Sequence, residues 1–187
     1  MRDARRVAVL ISGRGSNMQA LVEKADGYEV VLVASNKAQA PGLDWARAYG
    51  LSTWTWDGKV PRERFDAALS QLLEDHRIGT IALAGYMRIL TPAFVEAWRG
   101  RILNIHPSLL PKYRGLDTHA RALAAGDAVS GCSVHVVTEE LDAGDVLGST
   151  EVPIESGDTA EALEERVRAT EHELYPRVLA EFVRRSA

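Results

Sequence analysis

The chain has one cysteine, Cys132, in 187 residues, so no internal disulfide can form. A lone thiol in the β-like run Gly131-Cys132-Ser133-Val134 reads as a small buried hydrophobe and fits a reducing, cytoplasmic setting. Long apolar runs are missing too. Val7-Ala8-Val9-Leu10-Ile11 follows Arg5-Arg6 but is too short for a signal-peptide core and far too short to span a bilayer, so neither secretion nor a membrane partner is expected. His76, His106, His119, His135 and His172 show no H-x-x-x-H or paired-cysteine spacing, and no metal is expected. Nor is there an excess of basic charge: 22 Lys and Arg stand against 26 Asp and Glu, a formal net charge of −4. That balance argues against a broad nucleic-acid surface and favours small-molecule substrates.

Repeats, low-complexity tracts and Pro/Gly/Ser linkers are absent as well, and a 46% hydrophobic content suffices for one core, so a single domain over residues 1–187 is expected. Short β-rich runs alternate with amphipathic stretches. Strands are expected at 6–12, 29–34, near Thr53, at 78–84 and at 101–106, with helices at 16–25, 41–49, 61–75 and 92–98. This alternation predicts an α/β, doubly wound, mostly parallel twisted sheet with helices on both faces. The extended runs Cys132 to Val137 and Asp145 to Val152 read as a C-terminal antiparallel hairpin. A terminal helix is expected from Asp158, with Asp158 and Glu161 at capping-box spacing and Pro176 kinking or splitting it. Trp54, Trp56 and Trp98 are expected in the core by default.

Ligands of open α/β sheets bind beyond the carboxyl ends of the strands, and three segments fall there. Ser12-Gly13-Arg14-Gly15-Ser16-Asn17 follows the first strand and opens a helix, where free N–H groups and the positive helix end attract an anion. Met18 stands where G-x-G-x-x-G needs its third glycine, and the second strand ends Ser35-Asn36-Lys37 without a ribose-binding acid, so a phosphate monoester fits better than a dinucleotide. Asn104 and His106 lie two residues apart, on one face of a strand that Pro107 ends. An amide donor beside a ring that titrates near neutrality suits an oxyanion forming on an attacked carbonyl and a proton that must move. No serine or cysteine nucleophile accompanies His106, so direct attack by an amine is favoured over a covalent intermediate. A third segment, Thr138-Glu139-Glu140-Leu141-Asp142-Ala143-Gly144-Asp145, offers a carboxylate to orient His106. Spacing alone does not choose among its acids.

Taken in order, these segments resemble the folate-dependent phosphoribosylglycinamide formyltransferase family, over almost the whole chain. The resemblance rests on residues 9–17, Ser35-Asn36-Lys37, Leu83-Ala84-Gly85-Tyr86-Met87-Arg88-Ile89-Leu90, residues 103–111 and Glu140-Leu141-Asp142-Ala143-Gly144. It implies a formyltransferase fold and formyl transfer from 10-formyltetrahydrofolate to the amine of 5-phosphoribosylglycinamide in purine biosynthesis. It also implies the catalytic set Asn104, His106 and Asp142. Gly15, Ser16, Asn17 and Glu171 would hold the acceptor. Arg62, Met87, Arg88, Ile89, Leu90 and Asn104 would border the folate, with Thr138, Glu139, Glu140, Leu141 and Asp142. A monomer and a homodimer are both compatible with the pattern.

The chain departs from several members at Arg114, Asp117 and Asp145, and it stops soon after the terminal helix. These departures bear on loop shape. Methionyl-tRNA formyltransferases and formyltetrahydrofolate deformylases share the Asn-x-His and the later Asp but carry extra domains. A catalytically silent folate- or nucleotide-binding module would keep the 12–17 loop without needing Asn104, His106 and Asp142 together.

Overall fold

A computed structural model describes residues 2–56 and 58–186. Among these residues seven strands form one sheet in the order β3-β2-β1-β4-β5-β6-β7. The strands β1 (Asp3–Ile11), β2 (Glu29–Ser35), β3 (Ser52–Thr55), β4 (Ile78–Leu83) and β5 (Ile102–His106) are parallel. The last two, β6 (Val129–Val136) and β7 (Val146–Pro153), run antiparallel, and β6 pairs directly with β5. The sequence predicts this architecture, except that it does not show which strand the hairpin joins.

Alternation along β1 explains the layers. Val7, Val9 and Ile11 point to one face, where they meet α1 (Ser16–Glu23), α2 (Pro41–Ala48) and α6 (Ala160–Ser186). Ala8 and Leu10 point to the other, packing with Phe65, Leu69 and Leu73 of α3 (Arg62–Asp75) and Phe94 of α4 (Pro92–Ala97). From β1 the chain first builds outward through β2 and β3, then returns to lay β4 on the opposite side of β1. The segments after β1 and β4 therefore flank the point where strand order reverses, the place where such sheets open a crevice. They are tied together there: the Ser12 hydroxyl accepts from the Met87 N–H at 2.7 Å and donates to Asn36.

Three expectations need correction. The N-cap of α6 is Thr159, whose Oγ1 accepts from the Ala162 N–H at 3.2 Å; Asp158 instead accepts from the Glu155 N–H at 2.7 Å and pairs with Arg166. Pro176 does not divide α6, which runs unbroken through 27 residues. Its stripe Leu163, Val167, Leu174, Tyr175, Val178, Leu179 and Val183 is buried on the sheet, and that packing outweighs one missing N–H. Trp98 is fully buried, its indole N–H reaching Ser70 at 2.9 Å, but Trp56 is 38% exposed. One helix, α5 (Thr118–Ala125), is not anticipated from the sequence. It has no side-chain N-cap; Gly126, left-handed at φ 67° just past its end, was the available signal.

Candidate active site

Asn104 and His106 sit at the C-terminal end of β5, facing His135 and Ser133 across the antiparallel register with β6. Cross-strand neighbours of this kind lie side by side on one face, and Asn104 Nδ2 is 3.2 Å from His135 Nε2. The other nitrogen of His135, Nδ1, lies 3.0 Å from the Val136 carbonyl. A carbonyl only accepts, so Nδ1 carries a proton.

Asp142 completes the cluster from the β6–β7 loop. Its Oδ2 is 3.4 Å from His106 Nδ1 and accepts from the Gly115 N–H at 2.9 Å, while its Oδ1 is 3.5 Å from His135 Nε2. Of the loop's acids, Asp142 is the one turned inward: its side chain is 7% exposed against 74% for Glu140, which pairs with Arg114 at 2.7 Å. Burial raises the Asp142 carboxyl, but the His135 contact, the Gly115 N–H and the neighbouring imidazole charges outweigh it and hold it below the usual carboxylate range. Gly144 makes the loop possible, since a Cβ there would stand 1.8 Å from the Val136 carbonyl oxygen.

His106 Nε2 lies 2.9 Å from the Tyr113 carbonyl. Both of its nitrogens thus face acceptors, Tyr113 O and the Asp142 carboxylate, and only the doubly protonated ring donates to both. The backbone after β5 is held from beneath by Ser133, whose Oγ donates to the Ser108 carbonyl at 2.7 Å and accepts from the Leu110 N–H at 3.1 Å.

The 12–17 loop follows β1, which is separated from β5 by β4 in the sheet. Gly15 is the N-cap of α1 at φ 73°, with no side-chain cap, so the first N–H groups of the helix are not spent on a side chain. Ser16 is therefore the first helical residue. Gly42 closes on the loop from behind: its N–H donates to the Gly13 carbonyl at 3.1 Å, and a Cβ would stand 2.5 Å from Ile11 Cδ1 and 3.0 Å from the carbonyls of Gly13 and Arg14. Asn17 donates to Glu171 Oε2 at 2.8 Å across 154 residues of sequence, joining α1 to α6. Glu171 is 8% exposed, and burial raises its carboxyl, partly countered by the Asn17 hydrogen bond.

Met87 and Ile89, each 67% exposed, and Leu141, 59% exposed, supply apolar surface in the segments expected to border a folate. Leu90 is buried, and the Arg88 guanidinium lies 4.6 Å above the Phe65 ring. Arg62 is exposed at the start of α3, and among the described residues no side-chain hydrogen bond or ion pair ties it to the cluster. The residues that sequence reasoning missed are His135, Ser133, Gly42 and the backbone of Tyr113 and Gly115. His135 and Ser133 share a strand face, but nothing in the sequence tells that β6 lies beside β5.

Residues 5–179 match the formyl transferase family. The chain is 45% identical over 182 residues to the phosphoribosylglycinamide formyltransferase of Escherichia coli (strain K12), covering 94% of this chain and 86% of that protein. It is 46% identical over 180 residues to the trifunctional purine biosynthetic protein adenosine-3 of Bos taurus, covering 93% of this chain but spanning only 18% of that protein's length. The crystal structure of phosphoribosylglycinamide formyltransferase from Brucella melitensis superposes with a TM-score of 0.90 at 46% identity, covering 98% of this chain and 96% of that one. On these grounds the chain belongs to the formyl transferase family.

Proposed function

We propose that this chain, acting as one formyltransferase domain, transfers the formyl group of 10-formyltetrahydrofolate to the amine of 5-phosphoribosylglycinamide in purine biosynthesis. The observation that carries the reading is the cluster in which Asp142 faces His106 and His135 while His135 meets Asn104, in a sheet whose first helix starts without a side-chain cap. The names of the relatives support the acceptor and the group transferred.

The phosphate of the acceptor rests on the N–H groups of Gly15, Ser16 and Asn17, and Glu171 takes its ribose hydroxyls. The folate lies along 87–90 and 138–142, with Arg62 toward its acidic end. The acceptor amine attacks the formyl carbon directly. As negative charge grows on the formyl oxygen, the second N–H of Asn104 and the Nε2–H of His106 turn onto it. A developing oxyanion is a stronger acceptor than the Tyr113 carbonyl that holds His106 beforehand. Asp142 keeps the imidazole oriented and charged, His106 supplies the proton that the departing folate nitrogen takes up, and the proton shed by the attacking amine returns to the imidazole.

A formyl-transfer assay with both substrates tests this, following release of the deformylated folate. Turnover that depends on phosphoribosylglycinamide is expected. Equal turnover without the acceptor would replace this reading by hydrolytic deformylation, and no turnover in either case would leave a binding module.

A further inference from the structure

The loop between β5 and α5 meets His106 and Asp142 through its backbone, and its own conformation is costly. Tyr113 (φ 53°), Gly115 (φ 81°) and Asp117 (φ 58°) alternate in the left-handed region, two of them with a Cβ to accommodate. Yet the Tyr113 carbonyl faces His106 Nε2 and the Gly115 N–H faces Asp142 Oδ2. A strained segment persists only where its surroundings over-determine it, and here one side chain meets it from α5. Arg121 Nη1 donates to the Arg114 carbonyl at 2.7 Å and to the Leu116 carbonyl at 3.2 Å, the two carbonyls that bracket Gly115. The same guanidinium lies 5.2 Å from the Tyr113 ring. The far end of Tyr113 is pinned by its hydroxyl on Asp127 at 2.8 Å.

We propose that Arg121 is a positioning residue for formyl transfer: it clamps the 113–117 loop so that one backbone carbonyl and one N–H present themselves to His106 and Asp142. This rests on the function proposed above only for its kinetic consequence; the clamp itself is a matter of geometry. Arg121 touches neither His106 nor Asp142. Its guanidinium fixes two carbonyls and covers an aromatic ring at once, which a lysine ammonium on a flexible stem does not reproduce.

The test compares wild type, Arg121→Ala and Arg121→Lys by steady-state kinetics, thermal melting and the solvent exchange of the His106 Nε2 proton, observed by NMR of histidine-labelled protein. In Arg121→Ala we expect kcat to fall about tenfold and the KM of each substrate to stay within about threefold, as for an interaction acting on the reacting groups. The His106 proton should exchange about tenfold faster, with the melting temperature within a few degrees of wild type, and Arg121→Lys should recover less than half of the lost kcat. Unchanged exchange in Arg121→Ala overturns the clamp, whatever the kinetics. Full recovery by lysine also overturns it, reducing Arg121 to a positive charge. Faster exchange in a chain that shows no formyl transfer would uphold the clamp and sink the proposed function instead.

Discussion

Replacing Asp142 by asparagine isolates charge from shape. The amide oxygen can still accept from the Gly115 N–H, but the carboxylate facing His106 Nδ1 at 3.4 Å and His135 Nε2 at 3.5 Å is gone. Two unit charges 3.4 Å apart attract by about 5 kcal/mol at an effective dielectric constant of about 20. Only the part that grows as the transition state forms is lost from turnover. Removing one preorganised electrostatic partner of a developing charge costs about 3–4 kcal/mol, or roughly 10²–10³ in kcat. We expect Asp142→Asn to lose that factor in kcat, with the KM of each substrate within about threefold, in an absorbance assay of folate release. The pH dependence follows with its sign. A carboxyl held below its ordinary value keeps its charge above that range and loses it as pH falls through the folded value, so wild-type activity should decline at the acid end. The variant should lack the part of that decline due to Asp142. A kcat equal to wild type with KM raised tenfold would make Asp142 a binding residue and refute the reasoning.

Burial holds Glu171 above the ordinary carboxylate range, so its ionised form opposes folding once pH rises through the unfolded value, and Glu171→Gln should melt higher at neutral pH. The same variant should raise the KM for phosphoribosylglycinamide at least tenfold, because it gives up a charged acceptor for the ribose; a lower melting temperature or an unchanged KM would count against this. Gly42→Ala puts a methyl against Ile11 and the carbonyls of Gly13 and Arg14, and should cost about 1–3 kcal/mol in chemical denaturation. It should also weaken acceptor binding by calorimetry more than folate binding. Asp158 is held at about 2 by Arg166 and the Glu155 N–H, so its contribution is present above about pH 4 and is lost as pH falls toward 2. Asp158→Asn should therefore narrow the gap between melting temperatures at pH 5 and pH 2.5.

Much of the fold is legible because its cause is periodic. Alternation in β1 and the helical stripe of α6 follow from which residues must be buried, and the layers follow from those. The site is legible as far as it consists of side chains at strand ends: Asn104, His106 and the glycine loop stand out by position. What escapes is carried by pairing and by backbone. His135 enters because β6 lies antiparallel beside β5, a choice made by tertiary packing. Asp142 is distinguished from Glu139 and Glu140 only once the turn, with Asp142 itself at φ 49°, aims one side chain inward. The cap of α6 shifted by one residue because Arg166 claims Asp158 and leaves the helix start to Thr159.

The unusual residues of the 113–117 loop fit the same account. Tyr113 O and Gly115 N are present whatever side chains the loop carries, so their contacts with His106 and Asp142 survive substitution if the backbone path is kept. This chain keeps the path with its own set of contacts: Arg121 beneath, Asp127 at the Tyr113 hydroxyl, and Arg114 reaching over to Glu140. Arg114 is thereby accommodated without touching His106 or Asp142. The strain of two left-handed non-glycine residues is offset outside the site, while the carboxylate and the imidazole meet a backbone already in place. On the clamp proposed for Arg121, the placement of the two backbone groups thus rests on a side chain that touches neither His106 nor Asp142.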